Sequence, residues 1–485
     1  MAKKRRVRAA RSSRTASTAP VVSLSMIVKD EAEFIAGCLE SVRGVVDELV
    51  VVDTGSQDDT AAIAESLGAR VFCFPWSDNF AAARNHGLAQ CRGEWVLTLD
   101  ADEQLDPADR QLIRQAVARP KVDAWYLRFV NIIGGQTSGS EVRLLRLFRK
   151  TPDTRYVGRV HEQPIQNIPN ATAGYCASTI LHYGYRESVM EQKQKVARNL
   201  RLLELGLKDT EDGSNPMLRS SYLHYWALNA GDLKERHRRF EQFTEFVEAE
   251  LETLKDRMAW VPSGLVHYAL CLRDLGRRQE SAALAHRVLD RFGEAPLLQA
   301  LIAGGLVERG ELEEAKKRLA LAMAPDAETS ERHREYVMPP GVASRLAKLT
   351  LGEICERQWQ WPAAEKVYRE LVGEIEEVRP RLVYAQVMQE KYQAALDTLN
   401  QSEKLLAEAS PDIACLAFIL ALLAQSGQGL LWWGEKVRLA MPHHPPSASV
   451  LQRLESWETG KAFTPEAFPE LPQLVRIPVP AQTRT

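Results

Sequence analysis

The chain has 485 residues, 45% apolar and 26% charged, with a formal net charge of −2. That length accommodates two or more domains, the composition is that of an ordinary globular protein, and the near-neutral balance excludes the molecule as a whole as an electrostatic nucleic-acid binder. No run approaches the roughly 18 apolar residues of a membrane span.

The charge is uneven at the start. Lys3, Lys4, Arg5, Arg6, Arg8, Arg11 and Arg14 occur with no acid before residue 15. Lacking an apolar stretch, this segment is not a secretory signal. Residues 1–20 read as a solvated basic tail, with contact to anionic lipid or nucleic acid, or a nuclear address, as the alternatives. The seven cysteines, Cys38, Cys73, Cys91, Cys176, Cys271, Cys355 and Cys415, form no CxxC pair. They read as buried, reduced thiols of a cytoplasmic protein.

"VVSLSMIV" (21–28) is a short β-branched run that predicts a buried strand, and "DEAEFIAGCLESVRG" follows with helical spacing and acids in its first turn. Strands follow at 48–53, 70–74 and 94–100, separated by helices over "DDTAAIAESLG" and around "NFAAARNHGLAQC". This alternation predicts parallel βαβ units with helices on both faces. Ligands of such sheets bind beyond the carboxyl ends of the strands, where Asp30, Asp53 and Asp100 fall. Further strands are predicted at 124–130, 142–150, 156–165 and 179–186, and helices almost throughout beyond Glu187.

The fourth strand runs into "DADE", Asp100 to Glu103. Two carboxylates about 4 Å apart repel by roughly 4 kcal/mol at an effective dielectric near 20. Water, a proton or a cation must offset that. Oxygen ligands at an open strand end suit Mg²⁺ or Mn²⁺, which bridge to a diphosphate, although D-x-D alone is a common cap or solvated loop.

The second half carries a helical repeat. Gly276 and Gly310 mark inter-helix turns, with Ser281 and Ala315 at the small position that lets two helices approach. Leu351-Gly352, Ala364 and Tyr368, and then Tyr392 and Ala395, stand at tetratricopeptide offsets. Such hairpins bury their apolar faces only by stacking; the alternative is a plain helical bundle. The domain boundaries expected are a basic tail (1–20), an α/β domain (21–187), linking helices (188–260), repeats (261–460) and a Pro-rich tail (461–485).

"SMIVKDEAEFIAGCLESV", "VVDTGSQDDT" and "AARNHGLAQCRGEWVLTLDADE" occur in that order. Together they resemble the nucleotide-sugar half of family-2 glycosyltransferases with a GT-A fold, over roughly Val21 to Arg186. The resemblance implies that Asp53 accepts a hydrogen bond from the base, uracil or thymine by preference, and that backbone from Val28 to Glu31 lines the base pocket. Arg84 would reach the base or diphosphate, Asn85 would support the loop, Asp100 with Ala101 would hold ribose or sugar, and Asp102 the metal. Asp53 can equally cap its turn, and Asp30 and Glu31 can equally be first-turn helix acids.

An inverting transfer needs a general base at the acceptor, and Glu162 of "GRVHEQP" is the residue expected to supply it. A structural pair with Arg143, Arg146 or Arg159 is the alternative. His182 is expected on the metal, or else packed among aromatics, with Tyr183, Tyr185 and Arg186 walling the diphosphate. The run "RLFR…VGRVHE" is similar to one in lipopolysaccharide-core and peptide (glycocin-type) glycosyltransferases. The resemblance thus implies an inverting, metal-dependent transferase with a UDP-sugar donor and a peptide or protein acceptor, Ser, Thr or Cys, held by the repeats. A lipid-linked or lipopolysaccharide acceptor, with the basic tail touching the membrane, is the second expectation, and an inactive scaffold the third. The repeats also leave a homodimer open.

Overall fold

The computed structural model describes residues 22–119, 121–133, 136–164, 172–183, 189–254, 260–324, 341–402, 411–440, 443–455, 464, 467–469, 471 and 474. The basic tail, Tyr185, Arg186 and most of the Pro-rich end lie outside the described residues. The chain divides into two compact units, Met1–Asn229 and Ala230–Thr485. The first therefore takes in the helices Val189–Asp209 and Pro216–Leu228.

In the first unit the strand β1 (Val22–Val28) sets the layering. Its alternation sends Val22, Leu24, Met26 and Val28 into a core with Ile35 and Leu39 of helix α1 (Ile35–Ser41) and Ile113 of a later helix (Arg110–Val117). Ser23 and Ser25, equally buried, face the opposite side. There helix α3 (Phe80–Gln90), which follows the short helix α2 (Thr60–Ser66), lies so close that a Cβ on Gly87 would stand 3.0 Å from Ser25 Oγ and 2.9 Å from Val52. Small residues on one face of a strand admit a helix backbone; large ones on the other fill the core.

The sheet order is β3-β2-β1-β4-β7-β6-β8-β5, with β2 at Glu48–Asp53, β3 at Arg70–Cys73, β4 at Trp95–Thr98, β5 at Glu103–Leu105, β6 at Ala124–Ile133, β7 at Gln136–Arg149 and β8 at Ala173–His182. The first four strands are parallel, β7 joins β4 antiparallel, and β8 lies parallel to β6. This is the expected GT-A layout, a parallel half continued by a mixed half. The helix α1 begins at Ile35 with no acid in its first turn, so Asp30 and Glu31 are not first-turn acids.

One strand expectation fails. Residues 156–164 form no strand but a loop with a single bridge between Val157 and Gln163. Gly158 (φ 105°) and His161 (φ 57°) both enter the left-handed region, which breaks an extended run. Six cysteines are buried as expected, whereas Cys73, at the end of edge strand β3, is exposed.

The second unit is a series of helical hairpins: Trp260–Asp274 with Arg278–Phe292, Pro296–Arg309 with Leu312–Ala322, Val342–Arg357 with Trp361–Leu371, Arg379–Val387 with Tyr392–Asn400, and Pro411–Leu423 with Gly427–Ala440. Each of these turns has a left-handed residue, at Gly276, Gly310, Trp359, Glu390 and Gln425, in steps of 34, 49, 31 and 35 residues. The long step contains residues 325–340, outside the described set. Tetratricopeptide units are about 34 residues long. All five turns carry the same pair of bonds. In the third, Trp359 N–H donates to Glu356 O at 3.0 Å and Gln360 N–H to Cys355 O at 2.9 Å, the Schellman closure that satisfies the last helical carbonyls.

Five residues beyond the turn stand Ser281, Ala315, Ala364 and Ala395, all buried. Ser281 Oγ donates to Ala269 O at 2.6 Å, so its hydroxyl is satisfied across the hairpin. A Cβ on Gly352 would meet the buried Tyr368 ring at 2.4 Å; that close approach is what the Gly352, Ala364, Tyr368 spacing predicts. Among the described residues no helix is long and apolar enough to cross a membrane.

Candidate active site

The alternation of β4 aims the site. Trp95, Leu97, Leu99 and Ala101 point into the core, so Thr98 and, just past the strand, Asp100 turn the other way, toward α3. Arg84 on α3 meets both: its Nη1 donates to Thr98 Oγ1 at 3.3 Å and its Nη2 to Asp100 Oδ1 at 3.0 Å. Its Nε donates to Glu162 Oε1 at 2.5 Å. Arg84 and Glu162 retain only 11% and 10% of their side-chain exposure, whereas Asp100 keeps 41% and is the carboxylate open to a ligand.

A second guanidinium completes the network. Arg146 of β7 donates to Asp100 Oδ2 at 3.1 Å and to Glu103. Glu103, fully buried, also accepts from the Asp100 backbone N–H at 3.0 Å. Burial works to raise the Asp100 carboxyl, but Arg146 and Arg84 outweigh it and hold it well below the usual carboxylate range. Burial pushes Glu103 up to about 7, against the attraction of Arg146. Glu103 thus braces the Asp100 turn from inside. Of the three acids of "DADE", only Asp100 and Asp102 face outward.

Asp102 lies apart from the arginines. Its Oδ2 sits 3.2 Å from His182 Nε2, and its backbone carbonyl accepts from Tyr183 N–H at 2.9 Å. His182 ends β8, its ring 5.1 Å from that of Phe129, and its Nδ1 lies 2.7 Å from Asn131 Oδ1. Burial disfavours protonation of His182, but Asp102 overrides it and raises the pKa. Among the described residues no group of three or more His, Cys, Asp and Glu is gathered as a metal-ligand cluster. Asp102 and His182 form a pair only. Neighbouring ligands at about 2.1 Å from an octahedral ion stand about 3 Å apart, so the spacing of 3.2 Å would let the two share a Mg²⁺ or Mn²⁺ ion.

The remaining expected residues lie on the adjoining rim. Val28 O accepts from both Thr54 N–H and Oγ1, at 2.9 and 3.0 Å. Asp53 Oδ1 accepts from Gly55 and Ser56 N–H, both at 2.7 Å, so Asp53 does cap its turn. Asp30 adopts φ 56° and accepts from Gln57 N–H at 2.6 Å, stitching the β1 and β2 loops together. Glu31 N–H donates to Thr60 Oγ1 at 2.8 Å. Burial, then the charge of Asp102, push the Glu31 carboxyl up to about 7. The Ala101 side chain is in the core, leaving only its backbone for a ligand.

Asn85 holds the Tyr156 backbone from both sides, at 2.9 and 2.8 Å, and so positions the loop that delivers Glu162. Glu162 pairs with Arg84 rather than with the arginines of the alternative reading: Arg159 pairs with Asp209, and Arg146 with Asp100 and Glu103. His161 stacks on Tyr225 at 3.6 Å, and burial pushes its pKa down to about 4; it packs rather than joins the rim. Asn131, Thr98 and the bracing role of Glu103 were not foreseen. For Glu103 the signal was present, an acid adjacent to a D-x-D with an Arg in "RLFR".

Open α/β sheets bind ligands in the crevice beyond the carboxyl ends of their strands, which is where these acids and arginines converge. Residues 23–175 match the family described as Glycosyl transferase family 2. A TPR repeat-containing protein of Synechococcus elongatus is 37% identical over 229 residues, 46% of this chain and 56% of that protein. The SPbeta prophage-derived glycosyltransferase SunS of Bacillus subtilis is 28% identical over 195 residues, 39% of this chain and 45% of that protein. The chain thus spans about half the length of these curated relatives. A crystal structure of glucosyl-3-phosphoglycerate synthase from Mycobacterium tuberculosis with Mn²⁺ and UDP-glucose is 24% identical over 22% of this chain and 43% of that one. Its TM-score of 0.21 is too slight a likeness to carry an argument.

Proposed function

We propose that this protein is an inverting glycosyltransferase that moves a hexose from a nucleoside-diphosphate sugar, UDP-linked by preference, to a Ser, Thr or Cys side chain of a peptide or protein. The observation that carries the reading is the convergence of Arg84, Asp100 and Glu162 beside the Asp102–His182 pair on one rim of a family-2 domain. Asp53, with Oδ1 committed to its turn, would offer its other oxygen to the uracil N3–H. Asp100, half exposed and kept ionised by two guanidiniums, would accept from ribose or sugar hydroxyls. A Mg²⁺ or Mn²⁺ ion held by Asp102 and His182 would neutralise the charge developing on the leaving diphosphate.

Glu162 would take the acceptor proton. Arg84 Nε already donates to Glu162 Oε1, so Glu162 would first exchange that bond for one from the acceptor hydroxyl or thiol. The donor diphosphate is the anion that competes for Arg84, which ties release of the base to arrival of the donor. The helical repeats would hold the acceptor, since stacked hairpins of this kind present extended concave binding surfaces.

The test needs no acceptor. The full chain is incubated with UDP-, GDP- and dTDP-hexoses, with and without Mn²⁺, and nucleoside diphosphate release is followed. Slow, Mn²⁺-dependent release from a UDP-sugar is expected. No release and no calorimetric binding of UDP by folded protein would overturn the reading.

A further inference from the structure

His182 is held on three sides. Its register partner across β6 is Asn131 and across β5 is Glu103, Phe129 walls its ring, and the Tyr183 N–H to Asp102 O bond closes the backbone around it. Within this cage the two ring nitrogens meet different oxygens: Nδ1 faces Asn131 Oδ1 at 2.7 Å and Nε2 faces Asp102 Oδ2 at 3.2 Å.

An amide oxygen is only an acceptor, so Nδ1 must carry the hydrogen. In the neutral ring Nε2 then presents a lone pair to a carboxylate that presents another. In that neutral tautomer two acceptors face each other, an arrangement completed by a second ring proton or by a shared cation. The shorter bond is the one to Asn131. Without it the ring would be free to put its single hydrogen on Nε2 and donate to Asp102, which would occupy both groups with each other.

We propose that Asn131 is a positioning residue that keeps His182 in the Nδ1–H tautomer, reserving the Nε2 lone pair, together with Asp102, for a divalent cation. This rests on the metal reading above. An imidazole ligand also biases the pair toward Mn²⁺ over Mg²⁺, because nitrogen donors suit transition ions and Mg²⁺ favours oxygen. Partners of this kind that orient a metal-binding histidine typically change affinity by about 10- to 100-fold when removed.

Two measurements on the full chain test it. In metal-free, ¹⁵N-histidine-labelled protein near pH 9, long-range ¹H–¹⁵N spectra, with His182→Gln to assign the signal, should show the hydrogen on Nδ1. In Asn131→Ala it should move to Nε2. Titration with Mn²⁺ alone, followed by electron paramagnetic resonance, should show binding weakened about 10- to 100-fold in Asn131→Ala. Asn131→Asp, which still accepts from Nδ1–H, should bind close to wild type and also guards against a merely misfolded alanine variant. An Nε2–H signal in the wild type, or unchanged Mn²⁺ affinity in a folded Asn131→Ala protein, would overturn the inference. Absence of Mn²⁺ binding by the wild type would overturn the metal reading itself, and this inference with it.

Discussion

Each of the five hairpin turns closes on a left-handed residue, and in four of them a small residue follows five positions on, as Ala315 follows Gly310. The rim of the first unit is closed by ion pairs and hydrogen bonds such as Arg146 to Asp100, 46 residues apart, and His182 to Asp102, 80 apart. Local closure makes every hairpin a repeatable solution to the same packing problem. Long-range closure makes the site a single network, in which Arg84 answers to Asp100 and Glu162 together. Damage in a hairpin should therefore appear as lost stability, and damage at the rim as lost chemistry.

The largest effect expected is at the rim. Asp102→Asn should lower transfer by about 10³-fold or more, ~4 kcal/mol in the barrier, with the far-ultraviolet dichroism and melting temperature unchanged; near-normal turnover would refute the metal role. Glu162→Gln should lower the rate by about 10²-fold with donor affinity kept. If calorimetry instead shows lost donor binding, Glu162 serves to anchor Arg84. In the hairpins the sign of the comparison reverses. Gly352→Val drives a Cβ to 2.4 Å from the Tyr368 ring and should cost about 2–3 kcal/mol in urea unfolding, while Mn²⁺ affinity stays as in wild type.

Two smaller changes sharpen the contrast. The Glu31 carboxyl is raised to about 7 by burial and by Asp102, so the folded state binds its proton more tightly than the unfolded state. Its ionisation costs stability as pH rises from about 4.5 to 7, and that cost is full above 7. Glu31→Gln should match wild type near pH 4.5 and exceed it by on the order of 1–2 kcal/mol at pH 8. Trp359 occupies with φ 57° a turn position that Gly276 and Gly310 fill elsewhere, and is 72% exposed. Trp359→Gly should raise stability by roughly 0.5–1 kcal/mol, the relief of left-handed strain less the entropy of glycine.

These differences also explain what could be read from the chain. The period-two alternation of Val22–Val28 and the apolar runs at β2 and β4 are local signals, and so are Gly276 and Gly310. Trp359, Glu390 and Gln425 adopt the same turn without a residue type that announces it. The loop 156–164 reads as a strand because Tyr156, Val157 and Val160 are strand formers, yet Gly158 and His161 turn it twice. At the site, strand ends located Asp53, Asp100 and Asp102, since a rim follows from topology. The pairing of Glu162 with Arg84, 78 residues away, and of Asn131 with His182 depends on tertiary register, which no window along the sequence contains.

The shared turn has an evolutionary corollary. A segment that satisfies its own helix ends and offers the same seat to whatever follows can be duplicated or deleted whole, and the chain on either side still finds a matching neighbour. The array is in this sense a ruler with graduations of about 34 residues, which can be lengthened or shortened by copying while the first unit is left untouched.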